Sequence, residues 1–184
     1  MEQSLSHQLL VAMPLLEDAF FARSVVYILQ HDDDGAMGLI INKPVAMTQH
    51  ELLTNLDLPT AKANTEAAPP LVFGGPVMRE RGFVLHAGQG EWESTLGNDH
   101  WQVTTSKDIM LALANGDGPT WYQICLGYAG WGAGQLEHEL ATNAWLTVPA
   151  TEQLVFSTPP YERYDAALKA LGIDPVQLGA GGNA

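Results

Sequence analysis

The chain has 184 residues, of which 46% are hydrophobic and 16% are charged, so it is long enough for one ordinary globular domain with a sizeable core. It carries 8 Lys and Arg against 21 Asp and Glu, and this net charge of −13 disfavours binding to nucleic acid or to an anionic membrane surface. Its single cysteine excludes an intrachain disulfide and a cysteine-based metal cluster.

The first part of the chain predicts a strand followed by a β-hairpin. Glu17 and Asp18 interrupt the N-terminal apolar run, and no basic region precedes it, so we expect no signal peptide and a cytoplasmic location. The run LLVAMP predicts a strand that ends at Pro14. The runs SVVYILQH and GLIINKP flank an acidic, glycine-containing turn and predict an antiparallel hairpin that ends at Pro44.

The middle of the chain mixes helices and strands without a regular order. Thr48 and Glu51 predict a capping box at the start of a helix, and residues 58–70, rich in small residues and proline, predict an exposed loop. The runs LVFGGPV and RGFVLHAG predict two short strands around a Gly-Gly-Pro turn. Ser106 predicts the N-cap of a second helix, which ends near Gly116.

The last part of the chain contains the longest predicted strand, TWYQICLGYAG, in which Cys125 is expected to be an inert core thiol. A short helix that breaks at Asn143 and a further strand follow it. The run PPYERYDAALKALGI predicts the clearest helix, with Gly172 as its stop, and the residues after about 174 predict a frayed tail. The pattern as a whole predicts a single α+β domain over residues 1–184, mainly antiparallel, because regular βαβ alternation is missing.

The glycine-rich run LGYAGWGAGQLEHEL, residues 126–140, is the densest candidate for a site. It contains neither GxGxxG nor a P-loop, although the backbone amides that precede its helix could hold an anion. Glu137 and Glu139 already occupy the favourable first turn of that helix. A structural strand-to-helix turn, with Tyr128 and Trp131 packing over it, is therefore the favoured interpretation. A ligand site or an enzyme cleft here stays an alternative.

The chain shows no recognisable metal, cofactor or catalytic motif. His138 begins a sequence like HExxH, but Thr142 stands where the second histidine would be, and the other histidines have no ligand spacing. Glu137 and Glu139 are two residues apart, so on a helix they point to different faces. No G-x-S-x-G nucleophile elbow is present. We therefore expect no metal, no cofactor and no catalytic residue.

Basic residues are scarce in this chain, so two of them close together indicate a candidate cleft. If the hairpin forms, Arg23 and Ser24 meet Asn42 and Lys43 at its open end. The favoured interpretation is that Arg23 pairs locally with an acidic neighbour, Glu17 or Asp18, and that Lys43 is solvated. The sharper hypothesis brings these residues together with the Gly-Gly-Pro turn and the glycine-rich run around one polar cleft for a ligand or partner, lined by Arg23, Asn42, Lys43, Gly74, Gly75, Tyr128, Trp131, Gly134, Gln135 and Glu137.

Three segments together resemble a known family. They are LLVAMPLLEDAFFARSVVYILQHDDDGAMGLIINKP, VFGGPVMRERGFVLH and LGYAGWGAGQLEHELATNAWL, and the chain from about His7 to Ile173 is similar to the YqgE/AlgH family of small bacterial proteins. The resemblance implies a compact α+β domain in which a bifurcated, pseudo-barrel sheet is flanked by helices. The family is named in part for a proposed transcriptional regulator of alginate synthesis, a name that supplies no molecular mechanism.

These observations favour a non-catalytic cytoplasmic protein that acts through a protein partner or a small ligand, with a regulatory outcome if the family name reflects biology. A DNA-binding regulator is the first alternative, and the net charge of −13 disfavours it. An enzyme that uses a cleft at residues 126–140 is the second alternative. The sequence does not indicate an oligomeric state, and its five tryptophans are expected in the core.

Overall fold

Nine strands and four α-helices make up the part of the chain that the computed structural model describes, residues 4–14, 16, 18, 21–59, 68–87 and 91–174. The strands are β1 (Gln8–Ala12), β2 (Val25–Asp32), β3 (Gly35–Ile40), β4 (Val72–Phe73), β5 (Val77–Ala87), β6 (Thr95–Gly97), β7 (Trp101–Thr104), β8 (Tyr122–Gly132) and β9 (Trp145–Pro149). The helices are α1 (Gln49–Asn55), α2 (Lys107–Ala114), α3 (Gln135–Ala141) and α4 (Arg163–Ala170).

The strands form one curled sheet in the order β6-β7-β5-β8-β3-β2-β1-β9, and β4 adds to β8 as its parallel neighbour. All pairs along the main path are antiparallel. The long strand β8 joins the two halves of the sheet, because residues 122–128 pair with β5 and residues 129–132 pair with β3. The predicted α+β class with a bifurcated antiparallel sheet is confirmed.

The predicted hairpin is the centre of one half of the sheet. β2 and β3 pair from Val26 opposite Ile40 to Asp32 opposite Gly35, so the turn consists of Asp33 and Asp34. The first five residues of β2 are buried and its last three are partly or fully exposed, because the acidic turn end projects into solvent. Pro44 forms only an isolated bridge to Val72, which agrees with its predicted role as the end of the strand.

The Gly-Gly-Pro turn, which links β4 to β5, contacts the glycine-rich run on β8, the strand with which both β4 and β5 pair. Gly75 has φ +155°, and a Cβ built there would lie 2.1 Å from the carbonyl carbon of Tyr128. Gly127 has φ +79°, and a Cβ there would lie 2.4 Å from the carbonyl oxygen of Gly75. Two backbones therefore touch at this point, and a side chain at either position would push them apart.

Helices α1 and α2 begin where the sequence predicts, but the predicted N-cap of α2 makes different hydrogen bonds from those expected. Thr48 Oγ1 accepts the backbone N–H of Glu51 at 3.1 Å, as the predicted capping box requires. Ser106 stands at the N-cap of α2, but its hydroxyl makes no cap bond. That hydroxyl donates to Asp108 Oδ1 and accepts from Ser94 N at 3.1 Å, so it ties the loop before β6 to the helix.

Two apolar clusters hold the fold together. The larger cluster combines buried residues of β1–β5 and β7–β9 with residues of α3 and α4, while the smaller cluster packs α1 and α2 against β5 and β8. Each fully buried leucine or isoleucine in them contributes about 1.5–3 kcal/mol by leaving water. Trp101, Trp131 and Trp145 are in the core as expected, whereas Trp121 is 43% exposed.

Two predicted segments fall mostly or wholly outside the described residues, and some short elements of the structure were not predicted. Most of the predicted exposed loop 58–70 and the predicted frayed tail after 174 fall outside the described part of the chain. Two short elements were not predicted: β6, whose three residues are too few to show a periodicity, and a π-helical turn at Gln153–Ser157. A 3₁₀ turn, Pro160–Glu162, precedes α4 within the run that was predicted as one helix.

Candidate functional site

The open end of the hairpin is organised by Asn42. Its side-chain oxygen accepts the N–H of Val25 at 2.8 Å, and its side-chain nitrogen donates to the carbonyl oxygen of Arg23 at 2.9 Å. Arg23 has φ +56°, a left-handed conformation that this amide clamp stabilises. The Arg23 guanidinium lies over the ring of Tyr164, 4.7 Å from the ring centre. These contacts close the hairpin and dock it against α4.

Lys43 and the Gly-Gly-Pro turn lie at the same end of β3. Burial lowers the pKa of Lys43, and the nearby Asp18 carboxylate opposes this shift, so Asp18 acts on Lys43 and not only within its own loop. Gly74 O accepts the N–H of Ile40 at 2.8 Å, and Gly74 N donates to Leu126 O at 2.7 Å. The turn thus packs between β3 and β8.

Four of the remaining candidate residues lie at the other end of β3, around the start of α3: Trp131, Gly134, Gln135 and Glu137. Gln135 Oε1 accepts the N–H of Gly132 at 3.0 Å, and Gly134, with φ +75°, turns the chain from β8 into α3. Glu137 bonds His31 at the end of β2. Glu139 instead accepts the indole N–H groups of Trp145 at 3.1 Å and Trp131 at 3.4 Å. The two glutamates therefore serve different faces of α3, as predicted.

The structure does not bring the ten candidate residues around one cleft. Gly35 pairs with Gly132 beside the α3 group, while Ile40 bonds Gly74 beside the hairpin group. The five steps of β3 between these positions span about 17 Å. Tyr128 lies between the groups and packs on Phe83, with ring centres 5.3 Å apart. Most of the candidate residues form their hydrogen bonds with neighbouring groups of the same fold. Their role is therefore structural.

A different surface has the features of a binding site. Two contiguous clefts, of about 510 and 480 Å³, share Thr120 and the exposed indole of Trp121. We call this surface, residues 69–70, 86–87, 92, 117–122, 152, 156–161 and 163, the Trp121 groove. Clefts of this volume are within the range of small-molecule sites.

One half of the Trp121 groove, the basic cleft, is built over Arg163. Prolines 69, 70, 159 and 160 form part of its wall, together with Trp121 and Tyr161, whose ring is 75% exposed. Arg163 is the one charged residue among the described residues that line this cleft. The basic cleft therefore presents an apolar, aromatic wall around a single positive charge.

Arg163 is 2% exposed and is held by three neutral oxygens. Its Nε donates to Thr158 O at 2.8 Å, and its Nη1 donates to Ile41 O at 2.5 Å and to Gln123 Oε1 at 2.8 Å. Burial lowers the pKa of Arg163 to about 10, partly offset by the nearby Cys125, so the guanidinium stays charged at neutral pH. No carboxylate pairs with it and no hydrogen bond reaches its Nη2 within the described residues.

The other half of the groove, the acidic cleft, contains Asp117 and Glu152. His86 lines it, and its Nε2 bonds Thr104 Oγ1 at 2.8 Å, while burial lowers the pKa of His86 to about 4. Trp92 also lines this cleft, and its buried indole N–H has no hydrogen-bond partner among the described residues. The two halves of the groove therefore differ in the sign of their charge.

A third cleft, of about 550 Å³, lies at the end of β2 and contains three histidines. We call it the histidine cleft. His7 and His100 stack with ring centres 4.0 Å apart, and burial, followed by repulsion from His100, lowers the pKa of His7 to about 4. Asn98 Nδ2 donates to the Tyr27 hydroxyl at 2.8 Å, which leaves that hydroxyl to donate to His7 Nδ1 at 2.9 Å.

His31 in the histidine cleft has a defined tautomer. Its Nδ1 accepts the N–H of Leu5 at 2.9 Å, so its Nε2 carries the proton that bonds Glu137. No group of three or more His, Cys, Asp or Glu in the described part of the chain has a geometry that could hold a metal ion. None of the helices in that part is long and apolar enough to cross a bilayer.

The sequence interpretation missed the residues of the Trp121 groove. One signal was available: within α4, Arg163 falls on the same face as Ala167 and one residue before Tyr164, in the register of the buried positions. A basic residue in an apolar register is unusual in a chain with few basic residues. Trp121 gave no signal, because a tryptophan at the start of a strand is most often a core residue.

The chain is similar to known proteins in sequence and, separately, in structure. The AlgH-like family matches residues 9–176. UPF0301 proteins from Chromobacterium violaceum and Nitrosospira multiformis are 51% and 48% identical, covering 95% and 92% of this chain and 94% and 91% of their own length. The solution structure of the AlgH protein from Pseudomonas aeruginosa is 43% identical with a TM-score of 0.81, covering 98% of this chain and 95% of its own. A crystal structure from Corynebacterium diphtheriae, 18% identical with a TM-score of 0.71 over 97% of this chain and 91% of its own, shares the fold. The chain belongs to the AlgH-like family.

Proposed function

We propose that this protein is a non-catalytic binding protein of the cytoplasm that acts through a small ligand or a protein partner held in the Trp121 groove. The observation that carries the proposal is the placement of exposed aromatic rings. Among the described Phe, Trp and Tyr residues, Trp121 and Tyr161 are the two with the most exposed side chains, and both line the basic cleft. Exposed aromatic rings beside a cleft are typical of binding surfaces.

The cytoplasmic location is supported by the state of the single cysteine. Cys125 is fully buried on β8, and burial raises the pKa of its thiol to about 12, so it is neither a disulfide partner nor a reactive nucleophile. The proposal assigns any regulatory outcome to binding at the groove. It includes no direct contact with DNA, since a chain of net charge −13 repels the phosphate backbone.

The binding proposal is tested by a fragment screen on the ¹⁵N-labelled protein. We expect neutral and charged aromatic fragments to shift the Trp121 indole N–H signal and the backbone signals of residues 156–163. The double variant Trp121→Ser, Tyr161→Ser should remove these shifts and leave the rest of the spectrum in place. Leu96→Ser is the control, because Leu96, at 47%, is about as exposed as Trp121, at 43%, but lies on β6 and does not line the groove.

Two outcomes would contradict the proposal. One is a screen in which the fragments shift signals of the histidine cleft and leave those of the Trp121 groove in place. The other is a double variant that binds the same fragments as well as the wild type does. The DNA part is tested separately by a fluorescence titration with duplex DNA at low salt, where binding that weakens steeply with added salt would overturn it.

A further inference from the structure

We propose that the basic cleft of the Trp121 groove takes a small monocarboxylic acid with an aromatic body, whose carboxylate binds Arg163. This inference rests on the proposed function, because it names the ligand class of the same groove. It depends on three features of the cleft, namely a buried positive charge without a counter-ion, the sign of the surrounding charges and the chemistry of the walls.

The first feature is the unbalanced charge of Arg163. A buried guanidinium is costly unless an anion compensates it, and the three groups that hold Arg163 are neutral oxygens. These three bonds use Nε and Nη1 and fix the plane of the guanidinium. Nη2 makes no hydrogen bond with any described residue, so two donors of a charged group stay available to a ligand.

The orientation of Arg163 is set by a second buried polar residue. Gln123 is fully buried on β8 and accepts from Arg163 Nη1, while its own side-chain nitrogen donates to Pro70 O at 2.7 Å and Ile124 O at 3.0 Å. The amide therefore cannot turn without losing these bonds. A donor that is positioned before the ligand arrives gives up little freedom on binding, which favours affinity.

The second feature is the distribution of charge in the groove. The chain has 21 acidic residues, yet none of the described residues that line the basic cleft is acidic. Asp117 and Glu152 lie in the adjoining acidic cleft, beyond Trp121. The acidic cleft repels a carboxylate and Arg163 attracts it. The charge pattern therefore favours an anionic ligand and orients its carboxylate towards Arg163.

The third feature is the wall of the basic cleft. Trp121, Tyr161 and Phe156 supply aromatic faces, and Pro159 and Pro160 supply rigid apolar edges. A flat ring can pack between such groups with little loss of side-chain entropy. The volume of about 480 Å³ suits a small ligand and is too small for a folded domain. An aromatic acid therefore matches both the charge of Arg163 and the aromatic and proline side chains of the wall.

The test compares an acid with its neutral isostere on the wild-type protein. Phenylacetate and indole-3-acetate are titrated against phenylacetamide and indole-3-acetamide at pH 7, and binding is followed by the Trp121 indole N–H and the Arg163 Nε–H signals. We expect each acid to bind about tenfold more tightly than its amide, because a charge-assisted hydrogen bond replaces a neutral one. A short peptide ending in a free Phe carboxylate is a further arm, expected to bind more weakly than the free acid.

Variants assign the effect to a residue. Arg163→Gln should bring the acid down to the affinity of the amide, whereas Tyr161→Ser should weaken acid and amide by the same factor. If Arg163→Gln does not fold, the comparison of acid and amide in the wild type and in Tyr161→Ser decides alone. Lys169→Gln is the matched control for removal of a positive charge, since Lys169 is exposed on the same helix.

The outcomes separate this inference from the proposed function. An amide that binds in the groove as tightly as its acid overturns the carboxylate inference and leaves the groove as a binding site. Acid binding that persists in a folded Arg163→Gln variant overturns it as well, and so does a peptide that binds more tightly than the free acid. Failure of acids, amides and all other fragments to shift the Trp121 signal overturns both proposals.

Discussion

Each of the two clefts of the Trp121 groove is similar in volume to the histidine cleft, but the polar groups of the groove and of the histidine cleft are satisfied in opposite ways. In the histidine cleft, Asn98, Tyr27 and His7 form a chain of hydrogen bonds, and His31 has partners at both ring nitrogens. In the groove, Arg163 has a buried charge without a counter-ion, and the buried Trp92 indole N–H has no partner among the described residues.

This difference shows how structural and binding clefts can be distinguished. When the polar groups of a cleft already bond one another, a ligand gains little hydrogen-bonding free energy there, because it has to replace bonds that already exist. A buried group that lacks a partner costs stability in the free protein, and a ligand that supplies the partner recovers that cost. Three histidines are therefore a weaker indication of binding than one unpaired arginine.

The largest expected effect is that of Arg163→Met on stability. The change leaves Ile41 O, Thr158 O and Gln123 Oε1 without their donor in a buried place, so the free energy of unfolding should fall by about 3 kcal/mol. Urea denaturation measures it, with Lys169→Met as the exposed control, expected within about 0.5 kcal/mol of wild type. A variant as stable as wild type would show that these bonds contribute little.

The next effect is a loss of stability in acid. The pKa of His86 is lowered to about 4 in the folded protein from an ordinary value of 6.5. Between these values the unfolded chain binds a proton that the folded protein does not, so this contribution to stability is complete above pH 6.5 and is lost as the pH falls towards 4. The slope is at most about 1.4 kcal/mol per pH unit for this one histidine.

The acid effect is measured by urea denaturation at pH 7.5, 6 and 5. His86→Gln should flatten the dependence, and His7→Gln should do so too, because the pKa of His7 is also lowered to about 4. His50→Gln is the control, since His50 is exposed on α1. Equal slopes in His86→Gln and His50→Gln would be evidence against a neutral buried His86.

A smaller effect tests the separation of the original candidate residues. Arg23→Ala removes the contact with Tyr164, and Glu137→Gln weakens the bond to His31, each at a cost of about 1 kcal/mol. Because β3 separates the two sites, the double variant should equal the sum within about 0.5 kcal/mol. Coupling above that value would restore the idea of one shared cleft.

The smallest effect compares two tyrosines that are three residues apart. The Tyr164 hydroxyl donates to Ala12 O at 2.7 Å in a buried place, so Tyr164→Phe should cost about 1 kcal/mol. Tyr161 projects into solvent, so Tyr161→Phe should leave the midpoint of urea denaturation unchanged. A loss of stability in Tyr161→Phe would mean that its hydroxyl makes a stabilising hydrogen bond and does not simply face solvent.

Local signals in the sequence were sufficient for most of the fold. The hairpin, the cap at Thr48, the stops at Gly116 and Gly172 and the break at Asn143 each depend on residues close together in the chain. The path of β8 across both halves of the sheet could not be predicted, because strand order depends on contacts between distant segments. The close approach of Gly75 and Gly127 was hidden for the same reason.

The candidate cleft failed to assemble for a physical reason that the sequence does not contain. The hairpin was predicted correctly, and Arg23, Asn42 and Lys43 do lie at its open end. The glycine-rich run pairs with the closed end of the same hairpin, and only the register of β3 against β8 determines this. The Trp121 groove combines residues from the segment before β4, the end of β5, the start of β8, the π-helical turn and α4, which no local pattern connects.

The sharing of β8 between the two halves of the sheet has a consequence for local opening. A strand that is bonded to β5 along its first part and to β3 along its last part cannot detach from one partner without loosening its hold on the other. The amide protons of residues 123–131 should therefore exchange with solvent together and more slowly than those of β6 or β9 at the edges. Opening near Tyr122, at the wall of the groove, would be transmitted along this strand to the opposite end of the molecule.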